Sequence, residues 1–134
     1  MSSATEVRSD RKYTKDHEWA REQDGTVVVG ISAFAVDQLG DITLVNLDVK
    51  VGDVVKAHQT FGTIESVKTL SDLFAPVGGS IVRINPELEN RPELINEDPW
   101  DKGWMIAIQP STPSEVAGLL DAGAYSKLLE SAEH

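Results

Sequence analysis

The chain has 134 residues, of which 40% are hydrophobic and 25% are charged, and its formal net charge is −10. This length and composition are typical of one globular domain that buries its own core. The negative charge excludes a general affinity for nucleic acid or anionic membranes, because both attract basic surfaces. There is no cysteine, which excludes disulfide scaffolds, thiolate metal sites and cysteine nucleophiles.

The amino-terminal residues lack the features of a targeting segment. Residues 1–19 contain no apolar stretch for a secretory signal, and Glu6, Asp10 and Asp16 do not suit an acid-poor transit peptide. No apolar run elsewhere approaches the length of a membrane span. We therefore expect a cytoplasmic protein without membrane partners, in which residues 1–11 form a flexible amino terminus.

Most of the chain is predicted to form short strands. Beta-branched or alternating apolar runs are separated by glycine, proline and aspartate turns. The predicted strand segments are 26–31, 41–47, 51–55, 59–67, 73–84 and 104–108. Many short strands with such turns favour a small sandwich or a flattened barrel.

Helices are predicted to be few and peripheral. Residues 32–39 have Ser32 as a candidate N-cap and Gly40 just past the end, and a short helical turn is expected after Asn85. The run 112–115 reads Thr-Pro-Ser-Glu, which is typical of a capping box. It predicts a carboxy-terminal helical segment over 112–134, interrupted at Gly123.

Lys68 stands between two apolar alternating segments, which predicts that it lies at the tip of a β-turn. A turn supported by packed strands holds a side chain more precisely than a free loop does. Such an exposed, rigidly mounted amine suits the attachment of a prosthetic group. Most exposed lysines are only solvated, so the turn by itself assigns no role.

The surroundings of Lys68 resemble the biotinyl and lipoyl carrier domains. The matching segments are Gly-Asp-Val-Val at 52–55, Glu-Ser-Val-Lys at 65–68 and Ala-Pro-Val-Gly at 75–78. In that family the modified lysine lies between a Gly-Asp turn and an Ala/Ser-Pro segment. Biotinyl domains usually flank the lysine with methionines. Here Val67 and Thr69 flank it, which favours lipoate.

Four blocks in order are similar to the glycine cleavage system H proteins. They are Tyr-Thr-Lys-Asp-His-Glu-Trp at 13–19, residues 30–42, the segment 65–72, and the late block 92–104. Together they cover roughly residues 12–130. The departures are Asp16, where Ser or Thr is common, the turn 48–50, and residues 69–70 after the lysine.

The resemblance implies a mainly β fold, a lipoyl/biotinyl-type barrel-sandwich hybrid with short peripheral helices, built as a single domain over 1–134 with a helical cap at 112–134. It implies a carrier subunit rather than an enzyme, with lipoic acid joined to Lys68 as N6-lipoyllysine. The arm would carry the aminomethyl group of glycine from a pyridoxal-phosphate glycine decarboxylase to a tetrahydrofolate-dependent aminomethyltransferase. Dihydrolipoyl dehydrogenase would then take its electrons.

The resemblance also assigns roles to three acidic residues. Glu65 would be recognised by the lipoate-attaching enzymes. Glu18 and Asp72 would line a dry cleft that holds the loaded arm, whose amine is cationic and is lost readily in water. Two alternatives remain open at this point: a biotin carrier, and an unmodified acidic β-sandwich that binds a partner or hydrolyses a substrate with Glu18 and Asp72.

Overall fold

The computed structural model describes residues 6–132. Nine strands and four α-helices succeed one another along the chain, together with one 3-10 helix at Pro86–Leu88. The elements are β1 (Lys12–Tyr13), β2 (Glu18–Gln23), β3 (Thr26–Ile31), α1 (Ala33–Leu39), β4 (Ile42–Leu47), β5 (Val54–Val55), β6 (Thr60–Ser66), β7 (Leu70–Phe74), β8 (Gly79–Ile84), α2 (Leu94–Glu97), β9 (Ile106–Pro110), α3 (Ser114–Ala117) and α4 (Ala122–Ala132).

The strands form two sheets. The larger has the order β1-β2-β3-β9-β8-β5 and the smaller has the order β4-β6-β7, with antiparallel neighbours throughout. One apolar cluster takes side chains from both sheets and fills the space between them. The sheets do not close into a barrel, so the predicted barrel-sandwich hybrid is confirmed.

The large sheet is covered on both faces. Along β3, Val27 and Val29 belong to the cluster between the sheets, whereas Val28 packs on the opposite side. That opposite side is a second, aromatic-rich cluster beneath α4. Alternate side chains of a strand point to opposite faces, which explains why all three valines of β3 are buried.

The segment 73–84, predicted as one strand, is two strands in different sheets. Leu73 lies in β7 of the small sheet, whereas Gly79 opens β8 of the large sheet. Pro76 lies in the crossing segment between them and removes a backbone donor there. The crossing carries the chain from the lysine-bearing hairpin back to the large sheet.

The amino-terminal caps were predicted correctly for α1 but not for α3. Ser32 Oγ accepts a hydrogen bond from the Ala35 N–H at 3.3 Å, which caps α1. No side chain caps α3. Glu115, the proposed partner in a capping box, accepts from the Gly78 N–H at 2.9 Å instead. The box is therefore wrong, because a tertiary hydrogen bond takes the carboxylate.

The carboxy-terminal helical segment is divided before Gly123. It consists of α3 and α4, and the chain turns between them at 118–121. Asp121 Oδ1 accepts from the Ala124 N–H at 2.8 Å and caps α4, so Gly123 lies inside the helix. The predicted interruption at Gly123 is wrong by a few residues.

Part of the predicted flexible amino terminus is packed. Residues 1–5 lie outside the described residues. Val7 packs against the aromatic cluster, and Arg11 is buried with its guanidinium over the rings of Trp19 and Trp100. No helix in the described part of the chain is long and apolar enough to cross a membrane.

Candidate functional site

The tip of the β6–β7 hairpin is braced from inside. Ser66, which is buried, accepts hydrogen bonds at its Oγ from the N–H groups of Lys68 (3.1 Å) and Thr69 (3.2 Å). The Val67 N–H donates to the Asp41 carbonyl at 3.0 Å, which ties the tip to the segment before β4. The backbone of Lys68 is therefore held firmly while its side chain is exposed.

The Lys68 side chain lies over Gly40. A β-carbon placed on Gly40 would stand 3.2 Å from Lys68 Cε and 3.7 Å from Nζ. Gly40 also ends α1 with a φ of 81°, a conformation that favours glycine. No carboxylate of the described residues pairs with Lys68. Among the described residues, therefore, no carboxylate competes for the amine, and a side chain at residue 40 would crowd it.

The outer face of the small sheet presents apolar side chains beside Lys68. Leu44 and Leu70 are 48% and 63% exposed, and Val67 at the tip is 68% exposed. Glu65 lies between the two leucines, because it pairs with Leu44 on one side and with Leu70 on the other. An exposed apolar surface with one central carboxylate is typical of a contact surface for another protein.

A bulge in β4 creates this arrangement. The register passes from the pair Ile42–Ser66 to the pair Leu44–Glu65, so Thr43 is an extra residue. The extra residue reverses which face of the sheet the following side chains point to. Ile42 and Val45 are consequently both buried, while Leu44 is turned out. The alternation predicted for the run 41–47 is broken by this bulge.

A cleft of about 310 Å³ runs between α1, β7 and the loop that precedes β2. It brings together Glu18 and Asp72, the two acids that the resemblance assigned to it. Apolar side chains form much of its wall. Its lining residues are Asp16, His17, Glu18, Ile31, Phe34, Ala35, Gln38, Leu39, Ile64, Ser71, Asp72 and Leu73.

Glu18 is a buried carboxyl group inside this cleft, only 2% exposed. Thr14 Oγ1 donates to its Oε1 at 2.6 Å, and the Phe74 N–H donates to its Oε2 at 3.3 Å. Burial raises the pKa of Glu18 to about 7, although these two hydrogen bonds favour the ionised form. The carboxyl group is consequently near its midpoint at neutral pH and responds readily to a nearby cation.

The cleft begins close to Lys68. Gln38 and Leu39 of α1 line it and directly precede Gly40, on which the lysine lies. Asp72 follows Lys68 by four residues, so their α-carbons are at most about 13 Å apart. Glu65 is not among the lining residues. The acids therefore differ in position: Glu65 faces outward beside the lysine, Glu18 is buried in the cleft, and Asp72 lines the cleft as an exposed residue of β7.

His17 was not selected from the sequence, yet it lines the cleft. Its backbone has a φ of 71°, and its ring packs on Phe34 with centroids 4.7 Å apart. Its Nδ1 lies 2.8 Å from the hydroxyl of Tyr125 in α4. The two residues are 108 positions apart, so no local pattern could have revealed the pair. Membership of the block 13–19 is the only sequence signal that includes His17.

These features define a class of protein. A barrel-sandwich fold that mounts a free lysine on a braced hairpin, with a partly acidic cleft beside it, has the form of a lipoyl/biotinyl-type carrier. Among the described residues no cluster of histidine and acidic side chains could hold a metal ion.

Comparison with known proteins identifies the family. The model of the Glycine cleavage H-protein family matches residues 11–132. The glycine cleavage system H protein of Anaeromyxobacter sp. (strain K) is 48% identical over 128 residues, covering 96% of this chain and 99% of the relative. That of Bacillus licheniformis is 44% identical over 130 residues, covering 97% and 98%. The chain belongs to the glycine cleavage H-protein family, whose members are carrier subunits rather than enzymes.

A solved structure agrees. The crystal structure of a glycine cleavage system H protein from Mycobacterium marinum superposes with a TM-score of 0.85 at 40% identity. The match covers 92% of this chain and 99% of the other. The family, the fold and the non-enzymatic character expected from the sequence are thereby confirmed.

Proposed function

We propose that Lys68 carries lipoic acid as an amide on Nζ and that the chain shuttles the aminomethyl group of glycine within the glycine cleavage system. The observation that carries the proposal is the exposed amine on a braced turn, next to a cleft that contains a buried carboxyl group. The bound group supplies the reversible disulfide and dithiol chemistry. The chain supplies the anchor, the cleft and the surface that partners contact.

The residues present fit such an arm. From Lys68 Cα to the first sulfur there would be 12 bonds, or roughly 14 Å at ~1.2 Å per bond. The α-carbons of Lys68 and Asp72 are at most about 13 Å apart, so an arm of this length extends far enough along the hairpin to reach Asp72. Gly40 leaves room for the root of the arm beside α1. The absence of cysteine leaves no thiol of this chain to trap the arm as a mixed disulfide.

Glu18 and Asp72 would hold the cationic amine of the loaded arm. Glu18 has a pKa of about 7 because it is buried. An ammonium group beside it would favour the ionised carboxylate and would drive off the proton. Apolar side chains of the cleft, such as Phe34 and Leu73, would exclude water from the same space. The cleft thus protects the cargo without performing a reaction.

Glu65 and its apolar neighbours would form the surface that partner proteins contact. Glu65, Leu44, Leu70 and Val67 form the exposed surface that surrounds the lysine. A lipoate-attaching enzyme must approach Lys68 across this surface. Glycine decarboxylase, aminomethyltransferase and dihydrolipoyl dehydrogenase would then meet the arm in turn, in the cytoplasm. Tethering raises the concentration of the arm at each docked active site.

Intact mass spectrometry of protein from lipoate-replete cells tests the proposal. We expect one lipoyl increment, located on the peptide that contains Lys68. Lys56 is also exposed and lies in a turn before β6, so its peptide is the internal control and should be unmodified. A biotinyl increment would favour a biotin carrier. No increment under any condition would favour an unmodified binding protein or a hydrolase that uses Glu18 and Asp72.

A further inference from the structure

A buried chain of hydroxyl groups links α1, α4 and the cleft. The Tyr125 hydroxyl lies 2.7 Å from Ser32 Oγ and 2.8 Å from His17 Nδ1. Ser32 and Tyr125 are both 0% exposed. The Ser32 N–H also donates to the His17 carbonyl at 2.9 Å. The ring of His17 is therefore fixed to two elements that lie far from it in the sequence.

Counting protons sets the direction of these hydrogen bonds. Ser32 Oγ accepts from the Ala35 N–H as the cap of α1, and its own proton has only the Tyr125 oxygen as a partner among the described residues. Tyr125 must then donate its single proton to His17 Nδ1. The reverse direction would leave the Ser32 proton unpaired in the interior, which costs about 1–3 kcal/mol.

The tautomer of His17 follows from that direction. Burial lowers the pKa of His17, which favours the neutral ring. With Nδ1 accepting from Tyr125, the ring proton resides on Nε2. The charged or titratable groups that share the cleft with it are Asp16, Glu18 and Asp72. His17 thus adds no positive charge to a cleft that we assign to a cation, and it has no free lone pair.

We propose that Tyr125 is a positioning residue which holds His17 in its Nε2–H form so that the cleft contains no free imidazole base. This inference rests on the proposed function. An ammonium that keeps its proton has no lone pair with which to expel the neighbouring sulfur. Glu18 is the counter-ion of that ammonium in the proposed function, and a free imidazole lone pair would add a second acceptor for its proton. Occupying that lone pair with the Tyr125 hydroxyl therefore limits deprotonation of the cargo.

The tautomer is tested on the unmodified protein. A two-bond ¹H–¹⁵N correlation spectrum at pH 7 should show His17 Nε2 protonated and Nδ1 as a lone-pair nitrogen, with His17→Gln assigning its signals among the three histidines. Tyr125→Phe should give averaged tautomers. Tyr13→Phe is the matched control, because its ring stacks on Tyr125 at 4.3 Å but its hydroxyl bonds Arg8. A protonated Nδ1 in the wild type would overturn the proposal, even if Tyr125→Phe failed to fold.

The protective role is tested on the lipoylated, loaded protein. Release of the amine should be about tenfold faster in Tyr125→Phe, because an unoptimised base contributes less than the ~10²–10⁴-fold acceleration of an evolved general base. Tyr13→Phe should leave the rate of release unchanged. Equal lifetimes in all three proteins would overturn protection by Tyr125. A wild-type Lys68 that is never lipoylated would overturn the proposed function, and the protective role with it, while the spectrum would still decide the tautomer.

Discussion

At Glu18 a carboxyl group occupies a position where water is nearly excluded, and among the described residues the Thr14 hydroxyl and the Phe74 N–H donate to it. Burying a charge of this kind is costly unless a partner compensates it. The compensation from Thr14 and Phe74 is incomplete, because the pKa remains raised. The residue is thus adapted to a cationic occupant of the cleft better than to an empty cleft.

The raised pKa of Glu18 predicts a pH dependence of stability. The folded protein keeps the proton up to about pH 7, whereas the unfolded chain loses it near 4.5. Ionisation therefore disfavours the folded state as pH rises between these values. At about 1.4 kcal/mol per pKa unit, the loss from pH 4.5 to 7 is about 3 kcal/mol. Urea unfolding across this pH range should show the wild type losing this stability relative to Glu18→Gln. Stability curves that run parallel for the two proteins would contradict the prediction.

The same residue predicts the lifetime of the loaded arm. Glu18→Gln keeps the size of the side chain but removes the charge, so release of the amine should accelerate by roughly tenfold, or ~1.4 kcal/mol. Glu22→Gln, on the exposed end of β2, is the matched control and should behave as the wild type. The measurement is the time course of ammonia release from loaded protein. Identical time courses for both variants would remove Glu18 from the proposed dock.

At the residue scale, some features of the site could be predicted from the sequence and others could not. Lys68 could be placed at a turn because alternating runs flank it on both sides. Glu18 and Asp72 could be paired only through the family resemblance, since the cleft joins segments that are 54 positions apart. His17 and Tyr125 had no local signal, because their contact depends on how α4 packs across the large sheet.

Among the elements, the β4-β6-β7 sheet is the support of the lysine. Gly62 lies in its central strand, pairs with Leu47 and Leu73, and adjoins a second irregularity in register. A β-carbon at Gly62 would stand 2.3 Å from the Asn46 carbonyl oxygen. The close approach of two strands therefore requires glycine here.

Gly62→Ala should therefore destabilise the protein by about 1–3 kcal/mol, the usual cost of overpacking. Gly118→Ala is the control, because a β-carbon there meets nothing closer than 3.6 Å. We expect the control to lie within about 1 kcal/mol of the wild type. Chemical denaturation measures both. Equal stability of the two variants would show that β4 and β6 separate more easily than the structure indicates.

At this scale the errors of sequence analysis have physical causes. The segment 73–84 changes sheet at Pro76 and Gly78, a break that the apolar residues on both sides of it outweighed in the prediction of a single strand. The capping box at 112–115 was locally reasonable, but Glu115 gains a hydrogen bond from Gly78. At 112–115 a tertiary hydrogen bond overrides a reasonable local preference, whereas at 73–84 a local turn signal was given too little weight.

The whole molecule combines a rigid frame with a high negative charge. The two-sheet frame buries apolar side chains on both faces of the large sheet, and the outward surface carries the net charge of −10. Like charges repel one another in the compact state and lower its stability. Such a surface also steers the protein toward basic patches on its partners.

Screening this repulsion should raise thermal stability. Between 0.01 M and 0.1 M NaCl the Debye length falls from about 30 Å to about 10 Å. We expect the Tm at pH 7 to rise by roughly 2–4 °C, which corresponds to ~1 kcal/mol. Near pH 4.6, the isoelectric point of the sequence, the same step should have little effect. An equal rise at both pH values would assign the stabilisation to something other than net charge.

The family, the fold and the position of the lysine could be predicted from the sequence. The four blocks define the family, and the alternating runs define the sheets. The contents of the cleft were not accessible in full, because α1, β7, α4 and the loop before β2 meet there only in three dimensions. What the structure adds is the geometry that relates one anchored amine to one protected space.

The most direct test of the central claim is glycine cleavage reconstituted with the other three components of the system. Lys68→Arg keeps the charge and should keep the fold, since exposed substitutions change stability by about 0.5 kcal/mol or less. We predict that Lys68→Arg supports no glycine cleavage, whereas the exposed-lysine control Lys56→Arg supports it at the wild-type rate. Cleavage supported by correctly folded Lys68→Arg would contradict the account.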